Sequence, residues 1–424
     1  MAMAAKREQL TRRGFLCTTG AATAAVALPQ IIPAGALGKD EKAAPSERVG
    51  FAVIGLGDRG PVHCRIGGGE GQLIAVCDTW KDRREKLAAR YKVPAVADFR
   101  EILARKDVDA VVLTVPDHWH VPMAILAAKA GKDIFCEKAL GTSVEQDFAL
   151  RSVLKRYKTV FQYGPQRRAA HKFRHACELV RNGRIGKVKE IHIVTMTYGA
   201  CAPKKVVPEA PPKDLSYEMW MGPSRKVPYV PGRCKSRGWY TIYDHSIGWI
   251  AAWGSHVLSI AQWGYDIHKA GITEYQGTGV IPNLGLNDNL TKWDVKMQCA
   301  NGVKMTLKTG GNSVKFVGTE GTVWVADRGQ GSDPESIWKD AIKPGEIHLK
   351  SAHLGNDFIK CVKTRATTVG PIDDAVYSDI MSHIADIAIR LKRPVKWDPA
   401  KEVIVGDAEA TKMLSRPIRS PWSI

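Results

Sequence analysis

Residues 49–61 contain the pattern that most constrains the fold of this chain. An apolar run, Val49–Ile54, leads directly into Gly55-Leu56-Gly57-Asp58-Arg59-Gly60, and Pro61 follows where a helix can begin. The first glycine permits a tight turn, the second lets a ligand approach the backbone, and the third lets the helix pack closely on the strand. The order of strand, glycine turn and helix predicts a parallel α/β unit whose helix N-terminus binds a phosphate group.

A second apolar run, Leu73–Cys77, ends in Asp78, 18 residues after the glycine turn. A carboxylate at this place suits the ribose hydroxyls of a dinucleotide. Its charge would repel a ribose 2′-phosphate, so NAD is favoured over NADP. The basic residues just downstream keep NADP open as the alternative: Lys81, Arg83 and Arg84.

The pattern of strand and helix continues beyond this unit. Apolar runs at Ala110–Val115 and Asp133–Cys136 alternate with helical patterns at 80–91, 99–104 and 121–130. Alternation of this kind indicates a parallel sheet covered by helices on both faces. We therefore predict an α/β fold class, with a Rossmann dinucleotide-binding domain over residues 48–168.

From about residue 170 the pattern changes to α+β. Strand patterns lie at 188–197, 290–299, 303–309 and 314–325, and Asn301-Gly302 predicts a hairpin turn between the second and third. The expectation for residues 169–424 is a substrate and oligomerisation domain with an open, largely antiparallel sheet, and a homo-oligomer. Several aromatic residues in this domain are suited either to stacking on sugar faces or to packing in the core: Trp220, Trp239, Tyr240, Trp249 and Trp253.

The two domains together resemble the Gfo/Idh/MocA family of sugar and polyol oxidoreductases. The resemblance rests first on Pro116 and His120 and on the run from Ala128 to Lys138, which ends in Cys136-Glu137-Lys138. It continues at 161–168, 179–186, 253–256 and 397–422. The family implies a nicotinamide cofactor and a carbohydrate substrate.

The resemblance also implies residue roles. Lys138 would hydrogen-bond the substrate hydroxyl, and His256 would act as the general base. Cofactor contacts are expected from the glycine turn and from residues at or after the strand ends: Gly55, Leu56, Gly57, Asp58, Arg59, Gly60, Asp78, Pro116, Asp117, His120, Glu137, Lys138 and Gln166.

The chain departs from the family pattern at two positions. Ala139 stands where a proline is usual, and Ala252 stands where an Asp usually precedes the His by one helical turn. Asp244 or Tyr243 is the expected replacement, as a partner of His256 or of the substrate. Gln166 and Arg168 are expected to bind nicotinamide or substrate, the alternative being helix capping and surface charge.

The N-terminal residues have the pattern of a targeting signal. Arg12-Arg13 precede an Ala-rich apolar run, 20–32, and the small-residue sequence Ala34-Gly35-Ala36. Residues 1–36 therefore resemble a twin-arginine signal, followed by a linker at 37–47, and predict a periplasmic location reached through the twin-arginine export machinery. No later segment is apolar enough to predict a membrane span in the mature chain.

The charge distribution and the cysteine spacing bear on which classes of partner and metal the sequence predicts. The 62 Lys and Arg against 43 Asp and Glu give a net charge of +19, but the basic residues are dispersed, which argues against nucleic-acid binding. The nine cysteines show no metal-ligand spacing, and no metal is predicted. Cys77 and Cys136 are expected as core thiols, and Cys201 with Cys234 as the disulfide pair.

Three functions are consistent with these sequence features. The leading one is an exported NAD(P)-dependent oxidoreductase acting on a sugar or glycoside hydroxyl. The second is a redox-neutral enzyme that cleaves a glycosidic bond through transient oxidation, and the third is a non-catalytic nucleotide-binding protein. Because a periplasm offers little free nicotinamide, we expect the cofactor to be bound before export, retained, and recycled in place.

Overall fold

The computed structural model describes residues 44–424. The predicted export signal at 1–36 and most of the linker lie outside these residues. Within the described part, no helix is both long and apolar enough to cross a membrane.

The first half forms a six-stranded sheet in the order β3-β2-β1-β4-β5-β6, with every pair parallel. The strands are β1 Val49–Ile54, β2 Gly71–Cys77, β3 Ala95–Val96, β4 Ala110–Leu113, β5 Asp133–Cys136 and β6 Phe161–Tyr163. The helices are α1 Gly60–His63, α2 Lys81–Tyr91, α3 Phe99–Ala104, α4 Asp117–Lys129 and α5 Val144–Tyr157, and a 3₁₀ turn at Gln166–Ala169 follows β6.

The continuous apolar runs explain this layer. Every residue of β1, β4 and β5 is buried, as expected for central strands covered by helices on both faces. Strand order reverses between β1 and β4, so a crevice opens at the carboxyl edge of the sheet. Helix α4 begins at Asp117, four residues before the predicted start, because Pro116 serves as its N-cap with extended backbone.

The second half is built on a nine-stranded sheet in the order β13-β12-β11-β7-β10-β9-β8-β14-β15. The strands are β7 Val188–Thr195, β8 Ile272–Val280, β9 Lys292–Cys299, β10 Lys304–Thr309, β11 Ser313–Gly318, β12 Thr322–Ala326, β13 Gln330–Asp333, β14 Val395–Asp398 and β15 Val403–Ile404. Only the β7–β10 pair is parallel, so the predicted fold class, with a largely antiparallel second sheet, is confirmed.

Three long helices of this half, His171–Arg181, Gly254–Tyr265 and Ile372–Leu391, pack on the second sheet, whereas Leu354–Thr364 packs on the first sheet against β1, β5 and β6. Burial alternates along β9 and β10, which leaves the opposite face polar and exposed. The helices are α6 His171–Arg181, α7 Tyr217–Met221, α8 Trp249–Ala252, α9 Gly254–Tyr265, α10 Ile267–Ala270, α11 Ser336–Lys339, α12 Leu354–Thr364, α13 Ile372–Leu391 and α14 Ala408–Lys412, with a 3₁₀ turn at Trp239–Thr241.

One strand predicted from the sequence forms two strands in the structure. The pattern over 314–325 forms the hairpin of β11 and β12, which pair antiparallel. The amide of Gly318 donates to the carbonyl of Gly321, 2.9 Å away, and closes the turn between them. The predicted hairpin at Asn301-Gly302 does join β9 to β10.

A long segment between β7 and α8, residues 196–248, returns to the first sheet, and we call it the covering segment. Its backbone joins the residues just after Asp78: the amide of Lys81 donates to the carbonyl of Asp214 (2.8 Å), and that of Ser216 donates to the carbonyl of Thr79 (3.0 Å). The covering segment therefore forms a wall over the carboxyl edge of the first sheet.

Candidate active site

The glycine turn has the geometry that its sequence predicts. Gly55 has a φ of +90°, and a Cβ on Gly60 would lie 2.2 Å from the carbonyl oxygen of Gly55. At Gly57, by contrast, the nearest atom to a Cβ would be Nη1 of Arg83, at 3.8 Å. The first and third glycines are thus required by the fold, whereas the second leaves open space for a ligand at the turn.

Asp78 at the end of β2 fixes this turn. One carboxylate oxygen accepts from the amide of Leu56 (2.5 Å) and the other from the amide of Trp80 (2.8 Å). Burial raises the pKa of Asp78, and the two amides oppose that rise. Asp78 and Arg83 both line the same end of the crevice.

The crevice is a cleft that opens to solvent, with about 1010 Å³ of empty space when its open mouth is included. One wall is the carboxyl edge of the first sheet, from the glycine turn through Thr114, Val115 and Pro116 to Glu137 and Lys138. The other wall comes from the covering segment: Met219, Trp220, Cys234, Ser236, Trp239 and Tyr240. The open space at Gly57, the helix start at Gly60 and the position of Asp78 fit a dinucleotide.

Lys138 follows β5 and meets the covering segment across the cleft. Its Nζ donates to the hydroxyl of Tyr240 at 3.3 Å. Burial acts to lower the pKa of Lys138, but Tyr240 and Glu137 outweigh it, so the pKa lies above its usual value. Burial raises the pKa of Tyr240 as well. The pair is therefore an ammonium beside a neutral phenol.

Glu137 is the carboxylate next to Lys138 in the cleft. It accepts hydrogen bonds from Nε of Arg59 (3.1 Å) and from Nε2 of His63 (2.8 Å). Burial acts to raise the pKa of Glu137, but the hydrogen bond and charge of His63, together with Arg59, hold it well below its usual range. Arg59 also donates to Oε1 of Gln166 at 3.0 Å, which places Gln166 at the rim.

Asp117 and His120, expected to contact the cofactor, lie beneath the Lys138 loop and do not line the cleft. Asp117 accepts from the hydroxyl of Ser246 at 2.7 Å, and burial raises its pKa to about 7. Nδ1 of His120 donates to the carbonyl of Ala139, and burial lowers its pKa to about 4. Both are side chains of the first turn of α4 that support the loop.

His256 lies on α9, buried against Trp253, with ring centroids 5.4 Å apart. Its Nδ1 has no hydrogen-bond partner among the described residues. Burial lowers its pKa well below the usual value, and Arg167 and Lys138 act in the same direction. His256 is therefore a neutral imidazole within electrostatic range of Lys138, but it does not itself line the cleft.

Two predicted substrate contacts, Asp244 and Tyr243, lie elsewhere. Asp244 accepts from Arg225, at 3.0 Å, and does not pair with His256; that predicted pairing is wrong. Tyr243 is held between two guanidinium groups, those of Arg390 and Arg416, 3.8 and 3.5 Å from its ring centroid. Neither residue lines the cleft.

Arg168 is also directed away from the cleft. It is buried and donates to the carbonyls of Val369 (3.0 Å) and Ser259 (3.3 Å) and to the carboxylate of Asp374. Its guanidinium joins the turn after β6 to α9 and α13, so the expectation that it binds substrate is wrong for this geometry.

Tyr240 contacts Lys138 in the cleft, although the sequence predicts no catalytic role for it. It stacks on Trp239, with ring centroids 3.7 Å apart, and also contacts Trp249, with centroids 4.8 Å apart. The aromatic composition of 239–253 is the only local signal, and it does not say which ring meets Lys138. The contact spans 102 residues and depends on the whole fold.

The eight cysteines in the described part of the chain are free thiols. The predicted pairing of Cys201 with Cys234 is therefore wrong: Cys234 lines the cleft, while the thiol of Cys201 faces the carbonyl of Tyr198. Cys77 and Cys136 are buried in β2 and β5 as expected.

These features define a nicotinamide-dependent oxidoreductase class, and comparison with known proteins agrees. Residues 49–164 match an oxidoreductase family by its NAD-binding Rossmann fold, and residues 178–424 match the C-terminal α/β domain of that family. Since the second match alone covers more than half of the chain, this chain belongs to the Gfo/Idh/MocA oxidoreductase family.

Two curated relatives illustrate its range. The chain is 32% identical over 168 residues to inositol 2-dehydrogenase of Rhizobium meliloti (strain 1021), which covers 39% of this chain and 48% of that protein. It is 34% identical over 175 residues to glycosyl hydrolase family 109 protein 1 of Shewanella sp. (strain ANA-3), which covers 34% and 37%. The matched parts span less than half of either relative.

Among solved structures, GenD2 from gentamicin A biosynthesis, in complex with NAD, shares the fold. Its TM-score is 0.61 at 19% identity, and the match covers 84% of this chain and 98% of that one.

Proposed function

We propose that this protein is an exported, NAD-dependent oxidoreductase acting on a hydroxyl-bearing carbon of a sugar or glycoside, with its cofactor tightly bound. One observation carries the proposal: the Lys138–Tyr240 pair shares a single cleft with the glycine turn and Asp78. A dinucleotide held by the turn would extend along the sheet edge toward that pair.

Two residues of the cleft, Lys138 and Tyr240, together with His256 outside its lining, support a defined division of labour. The nicotinamide of a dinucleotide held at the glycine turn would supply the hydride acceptor and donor for the substrate carbon. The Lys138 ammonium stabilises the alkoxide that develops as the hydroxyl proton leaves. Tyr240 accepts a hydrogen bond from Nζ and holds it in place. His256, neutral because burial lowers its pKa, is the group assigned to take the proton.

The proposed cofactor is NAD rather than NADP. The carboxylate of Asp78 stands where an adenosine ribose would bind, although Arg83 lines the same end of the cleft. Mass spectrometry of the nucleotide released from purified protein decides between them. NADP as the sole nucleotide would overturn the choice.

A second function is favoured by one comparison. The similarity to a glycosyl hydrolase family 109 protein supports a redox-neutral cycle, in which a sugar is oxidised, a glycosidic bond is eliminated and the sugar is reduced again. Both functions use the same cleft and differ in their products.

A single screen separates the functions. Cofactor-loaded protein is offered sugars, polyols and aryl glycosides, and both nicotinamide absorbance and product mass are followed. Net reduction of the nicotinamide supports the oxidoreductase, and bond cleavage without net redox change supports the second function. A bound nucleotide with neither activity across the screen would refute both.

Two variants test the catalytic assignment. Lys138→Ala and His256→Ala should each lower turnover while the nucleotide stays bound, with the general-base contribution worth about 10²–10⁴-fold. Full activity of His256→Ala would remove His256 from the mechanism.

Export rests on the sequence at 1–36 and has its own test. Arg12→Lys combined with Arg13→Lys should retain the protein in the cytoplasm, as measured by cell fractionation. Equal periplasmic amounts of variant and parent would refute the proposed route.

A further inference from the structure

A buried cluster outside the cleft joins the two halves of the molecule. Asp147 comes from α5, on the first sheet, whereas Asp379 and His383 lie one helical turn apart on α13 of the second half. Their exposed fractions are 0, 1 and 4%. One atom from each can be chosen so that all lie within 4.8 Å of one another.

The cluster lacks the partners that buried charges need. Both carboxylate oxygens of Asp147 and Nε2 of His383 have no hydrogen-bond partner among residues 44–424. Asp379 accepts one bond, from the amide of Gly141 at 3.2 Å, and its other oxygen has none. Two adjacent buried carboxylates without a cation carry a large desolvation penalty, so the site requires a bound cation or shared protons.

The spacing is close to that of a tetrahedral cation site, with one of two distances inside the ideal range and the other just beyond it. Nε2 of His383 lies 3.4 Å from Oδ2 of Asp379 and 3.7 Å from Oδ2 of Asp147. In a tetrahedral site with bonds of 2.0–2.2 Å, neighbouring ligand atoms lie about 3.3–3.6 Å apart. Two carboxylate oxygens and one imidazole nitrogen form a donor set that divalent transition metals accept.

We propose that Asp147, Asp379 and His383 bind one divalent transition-metal ion. The sequence predicts no metal because the three ligands are distributed over two helices that are more than 200 residues apart. The three ligands come together only when the chain folds.

The position of the site suggests its role. It lies where α5 packs on α13, and Gly141 connects it to the loop that begins at Lys138. The ion would crosslink the two halves directly beneath that loop. It is a structural and positioning site, since none of its ligands lines the cleft.

The test uses untagged full-length protein, dialysed against metal-free buffer and analysed by elemental mass spectrometry. We expect about one equivalent of a divalent transition metal in the parent, and little in Asp147→Asn and His383→Asn. Asp373→Asn is the matched control, because it removes one carboxylate from the same helix, where the side chain is 47% exposed.

Two measurements on the parent keep the proposal testable if a variant fails to fold. A strong chelator should lower its melting temperature, and refilling the chelated protein with Co²⁺ should give the visible absorption of a four-coordinate site. The proposal is overturned in favour of shared protons if the parent protein holds no metal after exposure to Zn²⁺, Mn²⁺ and Co²⁺ and the chelator leaves its melting temperature unchanged. Equal metal in the parent and in folded Asp147→Asn would also overturn it.

Discussion

Two tyrosines three residues apart have opposite surroundings, and this makes them a matched pair. Tyr240 accepts a hydrogen bond from Lys138 in the cleft, whereas Tyr243 is held by Arg390 and Arg416 outside it. Tyr240→Phe should lower kcat/KM by about 10–100-fold, because a hydrogen bond to a charged group is worth roughly 1.5–3 kcal/mol.

Tyr243→Phe is the control for this measurement and should stay within about twofold of the parent, since one neutral hydroxyl away from the cleft has little effect on the barrier. Steady-state kinetics on the best substrate of the screen gives both values. An unchanged kcat/KM in Tyr240→Phe would mean that Lys138 needs no partner.

His120 makes a prediction about acid stability. Burial lowers its folded pKa to about 4, against about 6.5 for an unfolded His. The unfolded chain therefore binds one proton more over the interval between pH 6.5 and 4, so this residue's contribution to stability is complete above pH 6.5 and is lost as pH falls. The contribution to the slope is about 1.4 kcal/mol per pH unit.

His120→Asn should flatten the pH dependence of the unfolding free energy by about that slope. Its amide can still donate to the carbonyl of Ala139 and carries no titrating proton. Denaturant unfolding at pH 6.5, 5.5 and 5.0 measures the effect. The same slope in parent and variant would show that His120 already titrates normally.

At the scale of elements, the glycine turn separates folding from binding. A Cβ at residue 60 would collide with the backbone carbonyl of Gly55, whereas one at residue 57 would enter open space. Gly60→Ala should therefore destabilise the protein by about 1–3 kcal/mol. Gly57→Ala should keep the melting temperature of nucleotide-free protein and reduce nucleotide occupancy.

The two glycine variants control for each other. Thermal unfolding of stripped protein and chromatography of released nucleotide are the measurements. If Gly57→Ala were as unstable as Gly60→Ala, or retained full occupancy, the assignment of residue 57 to ligand approach would be wrong.

Local signals made the elements of the first half predictable. The runs 49–54 and 133–136 are buried on both faces, so composition alone marks them as strands. The merged strand at 314–325 shows where this fails, because apolar alternation resumes on both sides of the turn at Gly318–Gly321. The Lys138–Tyr240 contact and the Asp147 cluster could not be predicted, since they depend on packing between distant elements.

At the scale of the whole molecule, we expect the covering segment to control how the cofactor leaves. Its Ser236 donates to the carboxylate of Asp58 in the glycine turn, and residues 214–216 are joined to 79–81. We expect release of a dinucleotide to require that these contacts open. We therefore expect a stoichiometric nucleotide in purified protein and a redox cycle completed without exchange.

Ser236→Ala should raise the dissociation rate of the nucleotide by up to about tenfold, since one net hydrogen bond is worth roughly 0.5–1.5 kcal/mol. Ser152→Ala, on the exposed face of α5, is the control. Loss of nucleotide during repeated gel filtration gives the rates. Protein that is purified without nucleotide and shows millimolar dependence on added NAD would contradict retention altogether.

The tryptophans of the cleft have an optical consequence. Trp119, Trp220 and Trp239 all line it, and a reduced nicotinamide absorbs light at the wavelengths where tryptophan emits, whereas the oxidised form does not. Excitation energy should pass from these rings to the cofactor only while it carries the hydride. The intrinsic fluorescence of the protein should then dim and recover once per turnover, so that each half of a closed redox cycle becomes visible in stopped flow without an added dye.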